Sequence, residues 1–201
     1  NGGQIVHSYS RDLDVIEARH GKEAAKTLGS MAFEGAKIIR ERIEKYTIRC
    51  DLKNGGIYAA KTKKKIHELE QHKKLWEAYG NTQLSLHDKS EVKNFINTDA
   101  YEAILVDKSG GHFHSMNLAL GEASALESLA GRIYEDSRVI KIDRGSKAIV
   151  HTEQGSVKAN FVIIACNAYI GDLEPKLSQK TMPCGTQVVA TEPLGEKWQD
   201  I

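Results

Sequence analysis

The sequence has few cysteines, and their spacing indicates neither a disulfide framework nor a metal site. Cys50, Cys166 and Cys184 are odd in number and far apart, and no C-x-x-C pair occurs. The spacing therefore excludes a Cys-x-x-Cys zinc site. We expect three reduced thiols, most of them buried, because cysteine outside disulfides behaves as a small apolar residue.

Long apolar runs and an excess of one charge are also absent. Lysine and arginine total 28 against 27 aspartates and glutamates, so no global field attracts nucleic acid or an anionic membrane. The longest apolar run, residues 161–166, is far shorter than the ~20 residues of a membrane span. Residues 61–65 are rich in lysine, but acidic residues follow at once, which predicts a solvated helix start.

Glycine is plentiful, at 17 residues, yet it never occurs in the order that binds a dinucleotide. No two glycines are separated by a single residue, so the G-x-G-x-x-G turn for a pyrophosphate is missing. The chain opens instead on Asn1-Gly2-Gly3-Gln4 and does not begin with methionine. We expect an internal piece of a longer protein, opening in a loop. The first residues do not resemble a signal peptide, which favours a cytoplasmic protein.

Hydrophobic periodicity predicts an α/β chain with α+β character. Helices are predicted over 12–20, 22–46, 61–79 and 90–95, and from an N-cap at Ser115 to Gly131. Strands are predicted over 57–60, 83–87 and 102–107. The helix after Ser115 has an apolar stripe that includes Met116, Leu120 and Leu126, and we expect that stripe to face the core.

The last third predicts a β-meander that leads into a buried strand. Residues 138–143, 148–152 and 156–159 are short strands joined by turn sequences. Residues 161–166 are apolar at consecutive positions, which is typical of a parallel strand covered on both faces. Ligands of open α/β sheets bind beyond the carboxyl ends of such strands, so residues 165–168 are expected at a site.

Four short segments, taken in order, carry a family resemblance. They are Asn1–Gln4, the G-G-x-x-H segment at 110–114, which is predicted to be a loop, A-C-N-A-Y at 165–169, and A-T-E-P-L at 190–194. Together they resemble the FAD-dependent amine oxidoreductases of the D-amino-acid-oxidase superfamily, and within it the branch that oxidises gamma-glutamylputrescine. Cys166 is a mild departure, since relatives carry threonine or glycine there.

The resemblance implies which residues bind FAD. Glycine lets the backbone approach a large planar ring because no Cβ intervenes, and carboxamides can bond its polar edge. Val139 is expected at the adenine end, with an ordinary strand residue as the alternative. The implied FAD-binding residues are Asn1, Gly2, Gly3, Gln4, Val139, Ala165, Cys166, Asn167 and Ala168.

Two histidines in the G-G-x-x-H segment are a further candidate site. His112 and His114 share one face of an extended segment, but no third ligand is close in sequence, so no metal is predicted. His114 is expected either near the substrate or in a structural role. Relatives have proline where Ser115 stands.

The resemblance also implies domains and an activity. The partial FAD-binding domain, a parallel-sheet layer with a β-meander, comprises 1–45 and 112–172. A mixed-sheet substrate domain comprises 46–111 and 173–201. The implied reaction oxidises the C–N bond of an amine or amino acid by hydride transfer to FAD. Because the dinucleotide motif is missing, we expect this piece to be inactive alone. The alternative is a cofactor-free binding or interaction module on the same scaffold.

Overall fold

A computed structural model describes residues 2–7, 9, 11–185, 187 and 192–196. The chain divides into two compact units, residues 1–131 with 191–201 and residues 132–190. These units follow from spatial contacts, whereas the domains expected from the sequence follow from function, so that functional division stays a prediction.

The first unit alternates helices with strands. Its strands are β1 (Gln4–Ile5), β2 (Lys53–Ala60), β3 (Leu84–Asp88) and β4 (Ala103–His112). Its helices are α1 (Leu13–His20), α2 (Lys22–Lys45), α3 (Lys63–Ala78) and α4 (Ser115–Ser128), with one short 3₁₀ turn at Val92–Asn94. The predicted helix over 90–95 is therefore only that 3₁₀ turn, while α1, α2 and α3 confirm the periodicity to within a few residues.

All strand pairs described in the first unit are antiparallel, so the mixed sheet predicted for this region is wrong. The long strand β4 lies at the centre. Strand β2 pairs along one edge, from Lys53 opposite His112 to Ala60 opposite Ala103. The other edge is shared, because β3 pairs with residues 103–107 and β1 with residues 111–112. A pattern of short apolar segments does not by itself distinguish antiparallel from parallel pairing.

The core lies on both faces of this sheet. Successive side chains of a strand point to opposite faces, and Ile104 and Leu105 in β4 are both 0% exposed. Leu105 packs with Trp76 of α3 and with Leu84 of β3. Ile104 packs with Val106 and Val92 on the opposite face. Strand β4 is therefore the best-buried element described in the first unit.

The helix ends show one confirmed and one wrong prediction. Gly21 ends α1 as predicted, with φ of 85°, a conformation that suits glycine. His114, not Ser115, caps α4, since its Nδ1 accepts a hydrogen bond from the Asn117 N–H at 3.2 Å. Imidazole is an uncommon cap, and the usual preference for serine led to the wrong residue.

The apolar stripe predicted for α4 is also wrong in part. Leu118 and Ala125 are the buried residues of the helix. Met116 and Leu120 are each 62% exposed, and Leu126 is 47% exposed. The helix contacts the core through Leu118, which packs near Phe113 and Ile5. The face of α4 that periodicity assigned to the core is thus largely exposed.

The second unit confirms the meander, and the predicted parallel strand is not seen in it. Strands β5 (Val139–Asp143), β6 (Ala148–Thr152) and β7 (Ser156–Ala159) pair antiparallel in sequence order, and a short helix α5 spans Pro175–Ser178. Residues 161–166 have no strand structure, and Phe161 and Ile163 are 90% and 89% exposed. A strand needs a neighbour for its backbone hydrogen bonds, and no described segment pairs with this one.

The expected burial of the cysteines is only partly found. Cys50 is buried at 1% exposure, but Cys166 and Cys184 are exposed, so the expectation of mostly buried thiols is wrong. Cys166 follows the unpaired segment 161–165, which explains its exposure.

None of the described helices combines the length and apolar character that crossing a bilayer demands.

Candidate functional site

The two opening glycines have different surroundings. A Cβ added to Gly3 would lie 2.2 Å from the carbonyl oxygen of Phe113 and 2.9 Å from Ser115 Oγ. The Phe113 N–H donates to the Gly3 carbonyl at 2.7 Å, and Gly3 has φ of 75°. At Gly2, by contrast, a Cβ would meet nothing within 4 Å. Gly3 is therefore required by the packing of this chain, and only Gly2 has open space beside it.

The G-G-x-x-H segment is the end of a strand and not the loop that was predicted. Strand β4 runs through Gly110 and Gly111 to His112, where it pairs with both β1 and β2. Gly56 pairs with Asp107 and Asn54 with Gly111, so Gly55 alone lies opposite residues 108–110. Strand β4 thus bulges just before the glycine pair. Bulges of this kind are common beside active sites, because they redirect side chains.

Arg40 of helix α2 holds the bulge in place. Its Nη2 donates to the carbonyls of Ser109 at 2.7 Å and Gly110 at 2.8 Å. Its Nε donates to Asn54 Oδ1 at 3.1 Å, which ties the facing strand to the same guanidinium. A guanidinium suits this task because its donors are fixed in one plane. Arg40 is a positioning residue, and its place on the polar side of an amphipathic helix hid it from sequence analysis.

Asp107 is the second residue that sequence analysis missed. Its side chain is buried, at 2% exposure, at the start of the bulge. The carboxylate Oδ1 accepts from the Ser109 N–H at 2.9 Å and from Ser109 Oγ at 2.5 Å. The D-x-S-G-G sequence carried the signal, since aspartate often bonds the backbone two residues on, at a turn.

The histidines of the segment are placed on the surface. His112 and His114 are both exposed. The cap on α4 accounts for the His114 ring, so its contact with a substrate stays a prediction. Among the residues that the structure describes, no group of three or more histidine, cysteine, aspartate or glutamate side chains is arranged to hold a metal ion.

Val139 and residues 165–168, which the resemblance assigned to FAD binding, belong to the second unit. Val139 begins strand β5, is half-buried and pairs with Thr152. Ala165, Cys166 and Asn167 are exposed, and Ala168 is half-buried. Asn167 opens a 3₁₀ turn in the left-handed region, with φ of 50°, which asparagine tolerates better than most residues. Asn1 and the first two residues of the A-T-E-P-L segment lie outside the described residues.

An aromatic cluster packs beneath the sheet of the first unit. The rings of His72 and Trp76 stack with centroids 4.9 Å apart, and His7 lies 4.9 Å from Phe33. Trp76 and His7 are almost fully buried, and no described residue bonds Trp76 Nε1 or His7 Nε2. Burial lowers the pKa of His72 below its ordinary value of 6.5, and the charges of Asp12 and Asp107 oppose that effect.

The lowered pKa of His72 predicts an acid-dependent stability. The unfolded chain takes up a proton as the pH falls below 6.5, while the folded chain resists it until the lower folded pKa is reached. The contribution of His72 is therefore complete above pH 6.5 and is lost as the pH falls through its folded pKa. We expect His72→Phe to flatten the fall in unfolding free energy between about pH 7 and 5. Urea unfolding at several pH values measures this, and parallel curves for both proteins would contradict it.

Comparison with known proteins identifies the class. The sequence profile of the family described as FAD dependent oxidoreductase (DAO) matches residues 1–201. The chain therefore belongs to the DAO family of FAD-dependent oxidoreductases, which confirms the resemblance drawn from its motifs.

Two relatives are similar in sequence over almost the whole chain. Over 197 residues the chain is 51% identical to the gamma-glutamylputrescine oxidoreductase of Escherichia coli, covering 98% of this chain and 46% of that protein. It is 33% identical to the probable oxidoreductase OrdL of Haemophilus influenzae, covering 100% of this chain and 48% of that protein. The chain thus spans about half the length of these relatives.

Solved structures show the same fold at low sequence identity. The glycine oxidase of Geobacillus kaustophilus matches with a TM-score of 0.66 at 22% identity, over 87% of this chain and 46% of that one. An L-alpha-glycerophosphate oxidase of Mycoplasma pneumoniae with FAD bound matches with a TM-score of 0.64 at 16% identity, over 86% and 45%. At such identities the likeness concerns the fold alone.

Proposed function

We propose that this chain is part of an FAD-dependent enzyme that oxidises the C–N bond of an amine, with gamma-glutamylputrescine as its substrate. Membership of the DAO family supports the flavin chemistry. The 51% identity to a protein named gamma-glutamylputrescine oxidoreductase supports the choice of substrate. The single observation that carries the proposal is this identity, maintained over almost the whole chain. A cytoplasmic location, expected from the sequence, is part of the same proposal.

The opening segment fits the backbone of a flavin site. Gly2 leaves open space where other residues have a Cβ, and the Gln4 side chain is exposed. Gly3 fixes the segment by its hydrogen bond to Phe113, so the flexible glycine pair is held at one end. A bound FAD would supply the hydride acceptor, and these residues would hold and orient it.

The second unit also holds residues that the family resemblance assigns to FAD binding. Ala165, Cys166 and Asn167 are exposed, and Asn167 has φ of 50°. The apolar segment before it is largely exposed, and Phe161 and Ile163 are its most exposed side chains. Leaving such side chains in water is unfavourable by roughly 1.5–3 kcal/mol each. We propose that residues 161–166 join a sheet in the longer enzyme, supported by the half-length match to the relatives.

Visible absorption of the complete enzyme tests the proposal. We expect flavin bands near about 370 and 450 nm, and the 450 nm band should bleach when gamma-glutamylputrescine is added without oxygen. A colourless protein that takes up no added FAD would contradict the proposal and favour the cofactor-free module. The 201-residue chain alone should bind FAD weakly or not at all, because it has no G-x-G-x-x-G turn.

A further inference from the structure

A hollow lies over the glycine-rich ends of β2 and β4 in the first unit. Its volume is about 260 Å³. Gly55 and Gly56 line it from β2, and Gly110 and Gly111 line it from β4. Tyr58 and Asp107 add two functional side chains to its wall. Much of the wall that the two strands form is therefore backbone.

Space for a side chain is open at Gly56 and restricted at Gly110. A Cβ on Gly56 would meet nothing within 4 Å, and its φ is not in the left-handed region. A Cβ on Gly110 would lie 3.3 Å from the Ile5 carbonyl oxygen and 3.6 Å from Asp107 Oδ2. Asp107 Oδ2 thus lies beside a glycine of the wall. A small ligand placed there would come within reach of the carboxylate.

The buried Asp107 carboxylate makes hydrogen bonds but no ion pair among the described residues. Every described hydrogen bond to it ends on Oδ1, from Ser109 and from Asn81 Nδ2 at 3.3 Å. No described lysine, arginine or histidine forms an ion pair with it. A carboxylate at 2% exposure is costly to bury without a cation, so an incoming cation gains more here than at the surface.

We propose that this hollow binds the ammonium group of an aliphatic amine, with Asp107 as the residue that pairs with it. The choice of an amine as the ligand class rests on the proposed function. A primary ammonium is compact and offers three donors, which suits a small hollow whose wall is largely backbone and includes one carboxylate. A divalent metal fits less well, because the wall offers one carboxylate and hard cations bind several oxygens.

Tyr58 supports a cationic ligand. Burial and the charge of Asp107 both raise the pKa of the Tyr58 phenol, so it stays neutral. A neutral phenol adds no second negative charge that would demand a divalent ion. Its aromatic ring also attracts an ammonium group placed over its face.

Calorimetric titration of the 201-residue chain with 1-aminobutane tests the site, with 1-butanol as the neutral probe of the same shape. We expect the ammonium form to bind and the alcohol not to bind. Asp107→Asn keeps the Oδ1 acceptor and removes the charge, so it should weaken amine binding at least about tenfold. Equal affinity of this variant and the wild type, or of the two probes, would overturn the proposal, as would no binding by the wild type.

A second variant covers the case in which Asp107→Asn does not fold. Gly56→Ala adds a methyl group at the wall of the hollow without backbone strain and should also weaken amine binding. Gly155→Ala is its matched control in the second unit, where a Cβ likewise meets nothing within 4 Å, and it should bind as the wild type does. Unchanged binding by Gly56→Ala would overturn the proposal.

The titration needs no flavin, so its failure is distinct from failure of the proposed function. A yellow enzyme that oxidises amines while this chain binds none would overturn the ammonium site alone. A colourless enzyme whose chain still binds 1-aminobutane through Asp107 would overturn the flavin function and leave the ammonium site supported.

Discussion

Gly3→Ala is expected to destabilise the chain by at least about 2 kcal/mol, because the new Cβ cannot be accommodated. That Cβ would lie 2.2 Å from the Phe113 carbonyl oxygen, which belongs to the backbone and cannot move aside without disturbing the pairing of β1 with β4. The positive φ of 75° adds strain for any residue other than glycine. Urea unfolding of the 201-residue chain measures the loss.

Gly2→Ala is the matched control, since its Cβ has open space. We expect its unfolding free energy to stay within about 0.5 kcal/mol of the wild type. In the complete enzyme the same change should weaken FAD binding, because it places a methyl group where we propose that the flavin approaches. Equal stability of the two variants would show that the described contact between Gly3 and Phe113 is wrong.

Trp76→Ala is expected to lower the free energy of unfolding by about 3–5 kcal/mol, because it removes a large buried ring. Trp76 is 3% exposed and joins α3 to the sheet through Leu84 and Leu105. Its ring also contacts His72 and Phe33, so its removal leaves a cavity bounded by two helices and a sheet. Unfolding in urea checks the size of the loss.

Trp76→Phe separates packing from hydrogen bonding at the same position. The indole Nε1 has no hydrogen-bond partner among the described residues, so the smaller ring sacrifices no bond that the structure shows. We expect a loss below about 1.5 kcal/mol, since the removed donor was buried at a cost that offsets part of the lost volume. A loss as large as that of Trp76→Ala would mean that the indole N–H makes an essential bond.

The elements set by local pattern were predictable from the sequence. Helix α2 has a continuous apolar stripe and begins directly after Gly21, and the meander has turn residues between each pair of strands. The family was also predictable, because several short motifs occur in one order along the chain. Each of these signals lies within a short stretch of residues, so no knowledge of distant contacts was needed.

The features that depend on distant contacts were not predictable. Consecutive apolar residues at 161–166 indicate burial, but burial also requires a partner, and the described chain supplies none. The backbone of Phe113 requires glycine at position 3, a distant contact that the sequence does not indicate, and the expected contact of Gly3 with FAD stays a prediction. Arg40 reaches a bulge some seventy positions away, a contact that helical periodicity cannot indicate.

Hydrogen exchange of the complete enzyme, with and without FAD, tests the central claim most directly. That claim is that this chain is part of an enzyme that binds FAD. We predict that FAD slows amide exchange at residues 2–4 and at residues 165–168, with little change in strand β4 at Ile104, which is already fully buried. Unchanged exchange at both segments would contradict the account.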